Sequence, residues 1–396
     1  MTTSTREIRC GIVGFGFIGP QHAEAMRRLG FVNVAAICSD EPDVLRAKAR
    51  QLSIPKVYDR YEDLIADDEI DVVDVVTPTW LHAPVAMAAL RAGKHVIVDK
   101  PLALSAAQAR ELVDAAREAK VVNAVTFNYR YHPLVQHARV LISNGGLGNI
   151  YLVHGHYLQD WLLYDTDFSW RLDPAHSGAA AMVADAGSHW FDLVEHVTGL
   201  HIASVSAELK TTIKIRKKPV AAAREAFAAA GDEETEPFEV TVPDLGMAML
   251  RMENGASGSF LTSSLCAGHK NDLQFEIHGS RASLRWLQEE PNRLWIGHRN
   301  EPDQVIVKDP ALLDASVRRY ASLPGGHNEA WPDAFRNVLR NVFEFIVSGR
   351  DPLTADGILF PTFRNGLRVA AIAEALAASS AAGGAWTPIP SGADRS

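Results

Sequence analysis

Two periodicities alternate along the first 127 residues. Short apolar runs at Ile8–Val13, Val32–Cys38, Ile70–Thr77, His95–Val98 and Val121–Phe127 have the length and β-branched content of strands buried on both faces. Between them the spacing predicts helices over 20–29, Asp43–Leu52, Leu81–Ala92 and Ser105–Lys120. Pro20 opens the first helix and Gly30 closes it, and Ser105 is placed to cap the fourth. Strands alternating with helices predict βαβ units, a parallel sheet covered on both faces, and right-handed crossovers.

After residue 128 the pattern changes. Gly148–Tyr157, Gly246–Met252, Ala256–Leu265 and Leu273–His278 alternate apolar with polar. Asn254-Gly255 marks a hairpin between two of them. Residues 185–197 read as a helix, as do 328–348 and 361–378. The expectation is an α/β domain over 1–127, an α+β domain with an open, mainly antiparallel sheet over 128–390, and a frayed tail at 391–396. Residues 213–236 run basic, then Ala-rich, then acidic, and read as a solvated surface excursion.

Composition narrows the class. Of 396 residues, 47% are hydrophobic and 22% charged, enough for buried cores without disulfide or metal staples. The net charge of −9 disfavours general nucleic-acid binding, which depends on neutralising phosphates. Three cysteines, Cys10, Cys38 and Cys266, form no C-x-x-C pair. That argues for a reducing compartment and against structural zinc. Neither a signal-peptide core nor a membrane-length apolar run is legible, so the expected location is the cytoplasm.

Candidate chemistry begins at Gly14-Phe15-Gly16-Phe17-Ile18-Gly19. This G-x-G-x-x-G follows a predicted strand and opens a predicted helix, the setting of a Rossmann dinucleotide site. Gly14 permits the tight turn, Gly16 lets backbone approach a pyrophosphate, and Gly19 lets helix and strand pack closely. The pyrophosphate would meet free N–H groups at the helix N-terminus. The second strand ends in Cys38-Ser39-Asp40-Glu41. Asp40 is placed to accept from the ribose hydroxyls, with Ser39 as an alternative contact. Two acids and no base favour NAD over NADP.

Further strings join this one: Thr77-Pro78 with His82, Asp99-Lys100-Pro101, and Asp185-Ala-Gly187-Ser-His189 behind Gly178. Together with the closing Asp351-Pro-Leu-Thr354-Ala-Asp356-Gly357 they resemble the Gfo/Idh/MocA oxidoreductases over residues 7–390. The resemblance implies NAD(P)-dependent oxidation or reduction of a sugar or cyclitol, and a homodimer or homotetramer formed through the exposed sheet. It assigns Lys100 to the family's E-K-P lysine and Asp185 and His189 to its D-x-G-x-H pair. It also implies that Thr77, Pro78, His82, Lys100 and Asn128 meet the cofactor. Two departures stand out: Asp99 replaces the usual Glu, and the glycine cluster ahead of Asp185 is reduced to Gly178.

The residues support that chemistry independently. Alcohol oxidation needs a hydride acceptor and a proton acceptor together, and imidazole titrates near neutrality. Asp185 lies one helical turn before His189 and shares its face; a structural i,i+4 pair would have the same spacing. Lys100 follows a strand's carboxyl end, where its ammonium can stabilise alkoxide charge. Tyr129, Arg130, Gln159, Trp161, Arg171 and His327 are candidate substrate contacts. Trp faces suit C–H faces of a sugar, and charged groups suit its hydroxyls. The Gln159-Asp160-Trp161 stretch and the late Gly326-His327 resemble the branch that handles anhydrosugars, levoglucosan dehydrogenase among them. His154 and His156 share one strand face and read as structural rather than metal ligands; no metal is expected.

The expected activity is thus an NAD-dependent dehydrogenase acting on a secondary hydroxyl of a sugar, anhydrosugar or cyclitol. An NADPH-dependent keto-sugar reductase, or a non-catalytic NAD(P)-sensing regulator on the same fold, are the alternatives.

Overall fold

In the computed structural model, residues 7–39, 42–178, 180–220 and 234–390 are described. They fall into two compact units. One comprises Met1–Phe127 with Phe335–Arg368, the other Asn128–Ala334 with Val369–Ser396.

In the first unit, β1 (Ile8–Val13), α1 (Gly19–Arg27), β2 (Val32–Cys38), α2 (Pro42–Gln51), β3 (Lys56–Tyr58), α3 (Tyr61–Ile65), β4 (Val72–Val75), α4 (His82–Arg91), β5 (His95–Val98), α5 (Ala106–Ala119) and β6 (Asn123–Val125) alternate. The strands form one parallel sheet in the order β3-β2-β1-β4-β5-β6. The strand order reverses direction at β1 and β4, the point where such sheets bind ligands. Val72, Val73, Val96 and Val98 are fully buried, as a doubly covered sheet requires. Ser105 Oγ accepts from the Gln108 amide at 3.2 Å and starts α5 as the sequence predicts.

The pattern places one continuous domain over 128–390, but residues Phe335–Arg368 cluster with the first unit. Two contacts show why. The Val125 amide donates to the Pro361 carbonyl at 2.9 Å, covering the edge of β6. The Phe335 ring lies 4.5 Å from that of His22 on α1.

The second unit begins with α6 (Pro133–Ser143), β7 (Ile150–Leu158), α7 (Pro174–Ser177) and α8 (Ala181–Thr198). The strands β8 (Ile202–Lys210), β9 (Ile215–Pro219), β10 (Thr235–Glu239), β11 (Leu245–Met252), β12 (Ser257–Ser263), β13 (Asp272–Gly279), β14 (Ser283–Leu287), β15 (Arg293–Gly297) and β16 (Gln304–Val307) follow. The helices α9 (Trp331–Ser348) and α10 (Phe363–Ala381) and the short β17 (Thr387–Pro388) complete the chain. Nine strands form a sheet in the order β16-β15-β14-β13-β7-β12-β11-β8-β17. It is antiparallel apart from the β7–β12 pair.

One face of this sheet carries α8, which packs on β7, β11, β12 and β13. Gly155 makes room for it: a Cβ there would lie 2.6 Å from Trp190 Nε1. That indole instead donates to the Gln274 carbonyl at 2.8 Å. The opposite face exposes Met247, Met249, Val305 and Val307.

The excursion expected over 213–236 is corrected in its described parts: β9 and β10 pair as an antiparallel ribbon. Residues 221–233, and the tail expected at 391–396, lie outside the described residues. Lys214, Lys217 and Lys218 around Arg216 make this basic run read as solvated. Arg216, however, is fully buried. Its Nη1 donates to the carbonyls of Tyr164 at 2.8 Å and Asp167 at 3.1 Å. Those bonds, with the buried Asp244 carboxylate 3.8 Å from Nη2, offset part of the cost of burying the guanidinium. Among the described residues no helix is long and apolar enough to cross a membrane.

Candidate active site

The candidate residues fall in both units, and each group stands on the elements of its own unit. In the first, the β1–α1 loop gives each glycine a separate duty. Gly14 has φ +90°, and a Cβ on it would lie 2.6 Å from the Thr77 amide nitrogen and 2.7 Å from the Val76 carbonyl. Only glycine brings the loop this close to the end of β4. A Cβ on Gly16 would meet nothing within 4 Å, so the backbone there faces open space. A Cβ on Gly19 would press on the Phe15 ring at 3.0 Å. Phe17 is exposed and Ile18 precedes the first turn of α1. Ser39 follows β2 half-buried, while Asp40 lies outside the described residues.

The loop after β4 is fastened to the Asp99-Lys100-Pro101 turn. His82 Nδ1 is 2.7 Å from the Pro101 carbonyl and its Nε2 2.8 Å from the Thr77 carbonyl. Burial pushes its pKa down, so the neutral ring donates to one carbonyl at a time. Pro78 precedes the single turn Thr79–Leu81 that leads into α4. The Lys100–Pro101 peptide is cis. Thr77 Oγ1 is buried with no hydrogen-bond partner among the described residues.

Asp99, where the family usually has Glu, is held from two sides. Thr126 Oγ1 donates to its Oδ1 at 2.6 Å, and His22 Nε2 lies 3.7 Å from the same oxygen. His22 in turn pairs through Nδ1 with Asp74 at 2.7 Å, and His22 and Asp74 are fully buried. Burial alone would lower the imidazole pKa, but the two facing carboxylates win and raise it to about 9. Burial pushes Asp74 upward, partly offset by His22, whereas His22, Lys100 and Thr126 hold Asp99 well below the usual carboxylate range against burial. Sequence pattern gave no sign of this network, since His22 and Asp74 stand 52 residues apart on different elements.

In the second unit, α8 carries Asp185 and His189. Gly187 between them lies against Phe260 of β12; a Cβ there would come within 2.9 Å of the Phe191 ring and 3.3 Å of Phe260. Arg171 reaches Asp185 through Nε at 3.0 Å. The guanidinium also lies over Trp170 at 4.3 Å and Trp161 at 5.9 Å. The His189 ring is buried, edge-on to Tyr129 at 4.6 Å and to Tyr157 at 6.1 Å. Tyr129 Oη is 3.2 Å from Tyr157 Oη and accepts from Asn271 Nδ2 at 3.0 Å. Tyr157 and Asn271 carried no sequence signal; cross-strand register brings them in.

The other predicted contacts scatter. Gln159 is buried, and its Oε1 accepts from Trp161 Nε1 at 3.3 Å. Asp160 is occupied by Lys270 at 2.6 Å. Arg130 makes a buried two-point pair with Asp192 on α8, its Nε donating at 2.6 Å, so its guanidinium positions the helix. His327 is exposed, with Nδ1 3.4 Å from the Gly325 carbonyl of its own turn. Asn128 is buried and its Nδ2 has no hydrogen-bond partner among the described residues.

These features fit a dinucleotide. The loop is shaped by missing Cβ atoms, and the Thr77 hydroxyl beside it is buried with no hydrogen-bond partner among the described residues.

Comparison with known proteins agrees with this reading. Residues 8–127 match the model of an oxidoreductase family with an NAD-binding Rossmann fold, named GFO/IDH/MocA. Residues 135–285 match a C-terminal domain of the same family. Levoglucosan dehydrogenase of Pseudarthrobacter phenanthrenivorans is 29% identical over 97% of this chain and 99% of its own length. A crystal structure of an oxidoreductase domain protein from Kribbella flavida is 30% identical, with TM-score 0.85, covering 97% of this chain and 100% of that one. Levoglucosan dehydrogenase in complex with NADH and levoglucosan superposes with TM-score 0.84 at 28% identity, over 97% of this chain and 99% of that one.

Proposed function

Because the chain belongs to the Gfo/Idh/MocA family of NAD-binding oxidoreductases, we propose that it oxidises a secondary hydroxyl of a sugar, anhydrosugar or cyclitol, with NAD preferred over NADP. One observation carries the reading. On α8, Asp185 is held by Arg171, and His189, one turn later, is seated against two tyrosines. An acid–base pair beside an Arg and two tryptophans suits a polyhydroxylated ring. The likeness to levoglucosan dehydrogenase along nearly the whole chain favours anhydrosugars first.

When bound, NAD supplies the hydride acceptor. Gly14, Gly16, Phe17, Ile18 and Gly19 would hold its pyrophosphate, Ser39 and Asp40 its ribose, and Thr77, Pro78 and Asn128 its other polar groups. His82 holds the Thr77 and Pro101 carbonyls in place. Lys100 donates a hydrogen bond to the reacting oxygen and stabilises developing alkoxide charge. His189 takes the hydroxyl proton at a ring nitrogen. Asp185 and Arg171 bond neighbouring hydroxyls, Trp161 lines the ring face, and Gln159 keeps Trp161 in place. Tyr129 fixes the His189 ring, and Arg130 positions α8 through Asp192. His327 and a homodimeric or homotetrameric cytoplasmic enzyme belong to the same proposal.

The experiment is a panel of anhydrosugars, aldoses and cyclitols followed by NADH absorbance, with Lys100→Ala on the best substrate. We expect kcat/KM to fall by about 10²–10⁴-fold, the usual worth of a positioned proton-transfer group, with NADH still bound by fluorescence. Unchanged turnover would overturn the assignment. A strong kcat/KM preference for NADP would overturn the cofactor choice.

A further inference from the structure

The sheet face opposite α8 carries a histidine cluster that the proposed reaction does not use. On β7, His154 stands directly opposite Glu276 of β13, and His278 lies two residues along β13 from Glu276. All three are half-buried and project from the same face. His154 Nε2 and His278 Nε2 are 3.1 Å apart, and His278 Nε2 is 3.6 Å from Glu276 Oε1. One ligand atom from each residue lies within 4.8 Å of the others.

We propose that His154, Glu276 and His278 bind a divalent transition cation of the zinc type, with water completing a tetrahedral site. An ion with nitrogen ligands at about 2.0–2.1 Å has tetrahedral edges of roughly 3.3–3.4 Å, and the two measured separations fall on either side of that value. The second nitrogen of His278 supports the same arrangement. His278 Nδ1 lies 2.9 Å from Ser283 Oγ. When that nitrogen donates its proton to the hydroxyl, the Nε2 lone pair points at a carboxylate oxygen and at another imidazole. That lone pair is met either by a proton carried on His154 Nε2 or by a cation held among the three groups. Fixing a ligating imidazole through its other nitrogen is how metal sites select the tautomer.

The donor set also indicates the metal. Two imidazoles and one carboxylate suit zinc-like ions and disfavour calcium or magnesium, which take all-oxygen cages. Adjacent strands fix the donors as a rigid scaffold. Across the sheet, Leu273, Phe275 and Ile277 point into the core, so the ion would sit apart from Asp185 and His189.

The test uses the tag-free full chain, stripped with chelator and titrated with Zn²⁺ alone by calorimetry, with bound metal counted by mass spectrometry. We expect one equivalent in the wild type, lost in His278→Gln, with Glu276→Gln weakening binding by about tenfold or more. Co²⁺ bound to the wild type should show the visible bands of tetrahedral coordination, absent in His278→Gln and altered in Glu276→Gln. Glu276→Gln changes one atom at the protein surface and keeps the test valid where a histidine variant fails to fold. A wild type that binds no Zn²⁺, a His278→Gln variant that keeps the full equivalent, or a Glu276→Gln variant of unchanged affinity would overturn the site. The imidazoles would then simply share a proton in an N–H···N bond.

Discussion

His22 shows what a single buried side chain contributes. Its ring is fully buried with two carboxylates facing it, and its pKa rises from 6.5 to about 9. A folded-state value above the unfolded one means that the pairing stabilises fully below pH 6.5 and is lost as pH rises through about 9. We therefore expect wild-type Tm to fall between these limits more steeply than that of His22→Gln; parallel profiles in differential scanning calorimetry would exclude the pairing. Other residues were legible as letters in a motif. Lys100, Asp185 and His189 could be named from sequence because their neighbours spell recognisable strings. His22 and Asp74 could not, because only the fold brings this side chain of α1 to that of β4. Arg130 reads from sequence as a ligand contact at the start of the second domain, and only the fold supplies its partner Asp192.

At the scale of elements, the missing Cβ atoms make the sharpest predictions. Ala at position 14 would need φ +90° and would drive its methyl into the Thr77 amide. The expected cost is about 1–3 kcal/mol of stability, with NADH binding lost by fluorescence titration. Gly187→Ala would push α8 away from Phe260. Overpacking of this kind costs about 1–3 kcal/mol, and kcat should fall with little change in NADH affinity, as steady-state kinetics can check. The βαβ half of the fold was legible because doubly buried strands write continuous Val/Ile runs. The β9–β10 ribbon was not, because the run of lysines around Arg216 hides the one arginine that is buried there. Short elements such as β3 and α3 span only 3 and 5 residues, too few for a periodicity to emerge.

At the scale of the molecule, cofactor binding should appear as global stability. NADH at about a hundred times its dissociation constant adds about 2.7 kcal/mol, read as a Tm increase that Gly14→Ala lacks. The second unit also contains a fully buried ion pair, Lys308 Nζ to Glu329 Oε2 at 2.9 Å, with the lysine also donating to the Leu323 carbonyl at 2.9 Å. Glu329→Ala would strand that ammonium, at an expected cost of about 3–5 kcal/mol by chemical denaturation.

The order of strands has a further consequence during synthesis. β7 occupies the middle of the nine-stranded sheet, yet its two neighbours, β12 and β13, are the stretches Ser257–Ser263 and Asp272–Gly279. A nascent polypeptide thus exposes both hydrogen-bonding edges of its central strand until roughly a hundred more residues have left the ribosome. Any message truncated in that interval yields a product with a bare, sticky ribbon at its heart, so this protein's yield in a foreign host should depend on elongation speed and chaperone supply more than on final stability.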